Sequence, residues 1–130
     1  TPGPETLANA ATAQVYLTSV NALAETGELI NIDGTGNRVA STIFGHEEVY
    51  FIVGANKIAP DYDAALWRAR NIAAPLNAKR LERKTPCVTT GRCMNCSSPE
   101  RICRGLVVLW EKPALIPEVE VVIIEQELGF

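Results

Sequence analysis

The chain has 130 residues, 47% of them hydrophobic and 21% charged, with a formal charge of −3. That is one ordinary globular domain, long enough for a hydrophobic core without staples. No apolar run approaches the ~20 residues of a bilayer-spanning helix. No signal peptide is visible, and the start at Thr1-Pro2-Gly3-Pro4 is expected to lie inside a longer protein.

Taken in order, Val15 to Val20 is rich in β-formers and reads as a strand. Glu25 to Glu28 reads as a turn and Leu29 to Ile32 as a second strand, so the two strands are expected to form a hairpin. Asp33-Gly34-Thr35-Gly36-Asn37 breaks regular structure, and Arg38 to Phe44 follows as a short helix. Val49 to Gly54 is nearly all apolar and glycine-ended, which suits a strand buried on both faces of a parallel sheet.

After Pro60, Asp61 is a natural N-cap. Apolar residues then recur at Tyr62, Ala65, Leu66, Ala69, Ile72, Ala73 and Leu76, the clearest helical pattern in the chain. Pro75 removes a backbone donor, predicting a kink or a new helix there. Leu106 to Trp110 and Val119 to Ile124 are two further strands, their link fenced by Pro113 and Pro117. The alternation predicts a single α/β domain over residues 1–130, with a mostly parallel central sheet flanked by helices and a cysteine-rich loop at 85–104.

That loop, "TPCVTTGRCMNCSSPERIC", holds every cysteine: Cys87, Cys93, Cys96 and Cys103, spaced C-x5-C-x2-C-x6-C. Disulfides, a metal or iron–sulfur site, and a redox-active pair compete for it. Disulfides suit small secreted scaffolds rather than a chain with a large core. A redox C-x-x-C sits at a helix start after a strand, and none precedes Cys93. A shared four-thiolate site is therefore expected. Zinc and a [4Fe–4S] cluster both accept four thiolates, so ligand type does not separate them.

Lys79 to Arg104 carries seven basic and two acidic residues, a local excess of +5 that leaves −8 for the rest. The block has no interleaved aromatics and surrounds the cysteines. It reads as electrostatic support for thiolates from Arg92, Arg101 and Arg104, and nucleic acid is not an expected partner.

Two further segments suit a ligand. Gly34 and Gly36 let backbone amides approach an anion at the start of the following helix, with Asn37 beside them and Arg38 as a charged partner. The bland alternative is a turn that needs two flexible positions. Asn56 and Lys57 follow the apolar strand, and Asn21 the first strand, where parallel sheets gather ligands; a polar loop cap is the bland reading. His46, the one histidine, is expected in a solvated loop, and no nucleophile–histidine–carboxylate set can be assembled.

The stretches "VNALAETGELINIDGTGNRVA", "VGANKI", "RNIAAPLNAKRL" and the cysteine segment resemble the LUD, or lactate-utilisation, domain family, over Ala13 to Phe130. The resemblance implies the C-terminal, larger part of a domain whose N-terminal helices are missing here. It implies a cytoplasmic, redox-associated subunit in oxidation of lactate or a similar acid. Its expected partners are a small anionic metabolite, iron–sulfur and oxidoreductase subunits, and no membrane. The family is similar in turn to sugar-phosphate isomerase and CoA-transferase folds, in which a strand ends Gly-Ala-Asp. Here Val20-Asn21-Ala22 stands at that place, and an amide cannot serve as general acid or base. Isomerase chemistry is not expected; a phosphorylated or CoA-like ligand beside a structural zinc is the alternative function.

Overall fold

The computed structural model describes residues 2–130. Three strands, β1 (Val15–Thr18), β4 (Glu48–Gly54) and β7 (Glu118–Ile124), form a parallel sheet in the order β1-β4-β7. The register runs Val15 opposite Glu48 and Glu48 opposite Glu118. This is the expected α/β core with its parallel sheet.

A second sheet adds to it, in the order β5-β2-β3-β6: β5 (Ile58–Ala59), β2 (Ala22–Ala24), β3 (Leu29–Asp33) and β6 (Gly105–Leu109). The expected hairpin is displaced. β1 ends at Thr18 and pairs with β4; it is β2 that turns back on β3, with Ala22 opposite Ile30. Gly27 makes that turn at φ 108°, a conformation glycine adopts without strain. The sequence concealed the break because only Ser19 separates Thr18 from Val20, a β-former. The two C-terminal strands also part, β6 lying antiparallel to β3 and β7 parallel to β4.

Layering follows from strand alternation. Leu23 and Leu29 pack toward the parallel sheet with Val20, Val49, Phe51, Val53 and Ile116. Ala22, Ala24 and Ile30 face Ala59, Ala65 and Ala69. The second sheet is thus buried between the first and a helix whose alanines allow close approach. β4 is not buried on both faces: Val49, Phe51 and Val53 are enclosed, whereas Tyr50 and Ile52 are half-buried.

That helix begins as α3 (Tyr62–Arg68), capped by Asp61 accepting the Ala64 amide at 2.8 Å. It passes through one π-helical turn over Ala69–Ala73 and continues as α4 (Ala74–Arg80) with Pro75 in its first turn. The wider turn accommodates the missing proline donor without breaking the rod. Two short helices, α1 (Pro4–Ala11) and α2 (Asn37–Ile43), precede β4, and α5 (Pro86–Thr90) opens the cysteine loop.

His46 is buried, at 3% exposure, rather than solvated. Its Nδ1 lies 2.6 Å from the Ala13 carbonyl and its ring stacks on Tyr16 at 4.9 Å. It joins the start of β1 to the loop before β4.

Candidate functional site

Two cavities lie beside each other where the carboxyl ends of the strands meet the cysteine loop. The larger, about 520 Å³, is lined by Asn21, Asp33, Gly34, Arg38 and Lys57 from the sheet side. Arg80 and Arg83, at and beyond the end of α4, line it too, with Glu100, Arg101, Ile102 and Arg104 of the loop and Phe130. Six cations therefore face two carboxylates.

Its floor is a network of neutral acceptors. Arg38 donates from Nη1 to Asn31 Oδ1 at 2.8 Å and from Nη2 to the Ile32 carbonyl at 2.6 Å. Asn31 is buried and also accepts the Asn21 amide at 3.2 Å, while Asn21 Oδ1 accepts the Ile32 amide at 2.6 Å. Arg68, 8% exposed, donates to the main-chain oxygens of Asn56, Asn21 and Phe130. Lys57, also 8% exposed, donates to Ser19 Oγ at 3.0 Å. Burial pushes the Lys57 pKa down, and the charges of Arg68 and Arg38 lower it further. Burial lowers that of Arg68 as well.

The sequence-predicted ligand residues divide here. Asn21, Gly34, Arg38 and Lys57 line the cavity; Gly36, Asn37 and Asn56 do not. Gly36 caps α2 in the left-handed region at φ 91°, and Asn37 is exposed. Asn56 accepts the Leu128 amide at 3.0 Å, pinning the C-terminal segment. The amides expected to meet an anion at the α2 start are taken: Asp33 Oδ2 accepts those of Arg38 at 3.1 Å and Val39 at 3.2 Å. Gly34 serves packing, since a Cβ there would stand 2.8 Å from the Ile102 carbonyl oxygen.

The smaller cavity, about 30 Å³, is bordered by all four cysteines, with Arg70, Thr85, Met94, Arg101 and Ile102 among its other walls. All four are free, half-buried thiols. The π-helical turn grips the loop: Asn71 Oδ1 accepts the Cys93 amide at 3.1 Å, and Arg70 Nη2 reaches Asn95 Oδ1 at 3.4 Å and Cys93 Sγ at 3.6 Å. Arg101 donates to the Cys96 carbonyl at 2.8 Å. Burial raises the Cys103 pKa most, and the proximity of Cys93, Cys87 and Cys96 adds to it.

The chemistry of this donor set fits a thiophilic metal, and crowded thiolates are what a cation relieves. As the side chains stand, no three His, Cys, Asp or Glu among the described residues converge at ligand spacing. The residues fit the group in kind and in shared enclosure, and their side chains do not stand at ligand spacing in this structure.

The basic block is placed mostly around the large cavity rather than around the thiols. Of its seven cations, Arg80, Arg83, Arg101 and Arg104 line the large cavity, and only Arg101 also borders the thiols. Arg92 lines neither and is exposed. Arg70, outside the block, is the second cation at the thiols.

The LUD domain family model matches residues 3–124, nearly the whole chain. The chain is a LUD domain. No curated relative matches it. Among solved structures it is similar to a DUF162 family protein from Deinococcus radiodurans, with 14% identity and a TM-score of 0.48. That match covers 90% of this chain and 57% of the other, so the LUD domain described here spans little over half of that relative's length. None of its helices is long and apolar enough to cross a membrane, among the described residues.

Proposed function

We propose that this LUD domain binds a small anionic metabolite, lactate or a similar organic acid, beside a four-thiolate metal site. It would act as a cytoplasmic, redox-associated subunit with iron–sulfur and oxidoreductase partners. One observation carries the reading: the cationic cavity and the thiol cavity share Arg101 and Ile102 as a common wall. An anion in the first would sit next to a metal in the second. Arg38 or Lys57 would supply charge for a carboxylate, and Cys87, Cys93, Cys96 and Cys103 would supply the thiolates. A [4Fe–4S] cluster there would supply electron transfer; zinc would supply a structural clip.

Two features favour a second reading. The thiol cavity is the size of a single ion, and six cations around 520 Å³ exceed what a monocarboxylate needs. Both suit a structural zinc beside a phosphorylated or CoA-like ligand.

Anaerobic purification followed by metal and sulfide analysis, with a visible spectrum, separates the two. Iron with sulfide and broad visible absorbance supports the redox reading. One colourless zinc per chain sinks it. Cys93→Ser with Cys96→Ser should abolish metal retention, and unchanged metal content would overturn the shared site.

A further inference from the structure

Lys57 is the one lysine in the large cavity, and its setting is unlike that of an ordinary ion-paired lysine. It follows β4 in a 3-10 turn (Ala55–Lys57) at the carboxyl edge of the parallel sheet, is 8% exposed, and lines the cavity. Among the described residues, no Asp or Glu side chain hydrogen-bonds Lys57, Arg38 or Arg68. All three rely on hydroxyl, amide or main-chain oxygens. Two fixed guanidinium charges act on one amine in a largely enclosed place, an arrangement that favours the neutral, nucleophilic amine. Asp33, the carboxylate that lines the cavity from the sheet side, is spent on the Gly34, Arg38 and Val39 amides.

Building on the organic-acid reading, we propose that Lys57 forms an imine with a 2-oxo acid held in this cavity by its carboxylate. The Lys57 nitrogen lone pair attacks the ketone carbon, forming a C–N bond while the carbonyl π pair moves to oxygen, which takes a proton. The carbinolamine then loses that oxygen as water, taking up one further proton at the leaving hydroxyl, and the nitrogen lone pair closes the C=N bond. One ketone, one primary amine and one proton thus give one protonated imine and one water, with no change in oxidation state. Ser19 Oγ, at 3.0 Å from Nζ, is placed to pass the proton between nitrogen and oxygen. The cations that depress protonation of the amine also hold the acid's carboxylate.

The test is reductive trapping. The intact protein is incubated with pyruvate and sodium borohydride, then mapped by peptide mass spectrometry, with pyruvate binding followed separately by calorimetry. A single reduced pyruvate adduct at Lys57, absent without pyruvate and absent in Lys57→Arg, is the expected result. No adduct, or labelling spread over the other lysines, Lys79, Lys84 and Lys112, overturns the imine. The wild-type map decides even where Lys57→Arg fails to fold. Pyruvate binding without an adduct refutes the imine alone. Absence of both binding and adduct removes the organic-acid reading as well.

Discussion

The two cavities meet at Arg101 and Ile102 yet are assembled in opposite ways. The larger draws its cations from α2, the turn after β4, α4 and its exit, and the cysteine loop. The arginine at its floor is held by neutral oxygens, so its charge stays uncompensated. The smaller takes its four sulfurs from one contiguous segment. One cavity sets six cations against two carboxylates, and the other sets two arginines, Arg70 and Arg101, beside four thiols. The proposed anion and metal would be neighbours across their shared wall, so changes at the wall should be felt on both sides and changes elsewhere on only one.

Gly34→Ala strikes that wall and should have the widest effect. The added methyl meets the Ile102 carbonyl oxygen at 2.8 Å, and the obstacle is backbone, so the loop must shift. A cost of about 1–3 kcal/mol is expected for such overpacking. Metal content and anion affinity should fall together, read by metal analysis and calorimetry on one preparation. Loss of only one would show that the cavities are mechanically separate.

Arg38→Met isolates the larger cavity. Hydrogen bonds to charged groups contribute about 1.5–3 kcal/mol, so anion affinity should drop roughly 10- to 100-fold. Asn31 Oδ1 keeps the Asn21 amide as donor, which limits damage to the floor. Metal content should not change. A matching loss of metal would mean that Arg38 supports the fold of the loop rather than the ligand.

Asn71→Ala isolates the smaller one. It removes the acceptor of the Cys93 amide and one of the two grips that the π-helical turn has on the loop. Groups that orient ligands are typically worth about 10-fold or more in metal affinity. Competition with a chelator would read that loss, while anion binding stays at the wild-type level. An equal chelator curve would show that the loop holds its own shape.

What the sequence made legible follows from the same contrast. The thiol cavity was readable because its donors are contiguous and no other cysteine exists to confuse them. The parallel strand β4 and the Asp61-capped helix were readable from apolar run and period. The large cavity was legible only in part. Arg38 and Lys57 follow glycine-marked turns that advertise themselves, but Arg104, in the same basic block as Arg80 and Arg83, sits beside the cysteines in sequence and reads as thiolate support. Arg80, Arg83 and Arg104 all line one cavity with Asp33 and Gly34, and the pairing of β6 with β3 that carries Arg104 to Asp33 is not encoded in residue pattern. Gly36 and Asn37 misled for a related reason: the glycine signal fixes a backbone turn, and only coordinates reveal that Asp33 already fills the amides behind it. His46 looked solvated because its flanks, Gly45 and Glu47, are polar-loop residues; the Tyr16 ring that covers it lies thirty positions away.

The smallest expected effect tests whether the larger cavity stores strain for its ligand. Lys57 has a lowered pKa when folded, through burial first and then Arg68 and Arg38. The unfolded chain therefore binds that proton more tightly, and stability should rise as pH climbs through the folded pKa toward the ordinary lysine value. Below that window the charged amine works against folding; above it the penalty is gone. Lys57→Met removes the charge, so it should melt at a higher temperature than wild type near neutral pH. That advantage should shrink as the buffer is taken toward pH 10, and the variant should bind the anion less well throughout. Thermal melts of both proteins across this range read the sign directly. A variant less stable than wild type at neutral pH would mean that the Ser19 hydrogen bond outweighs the repulsion, and that the cavity is at rest without a ligand.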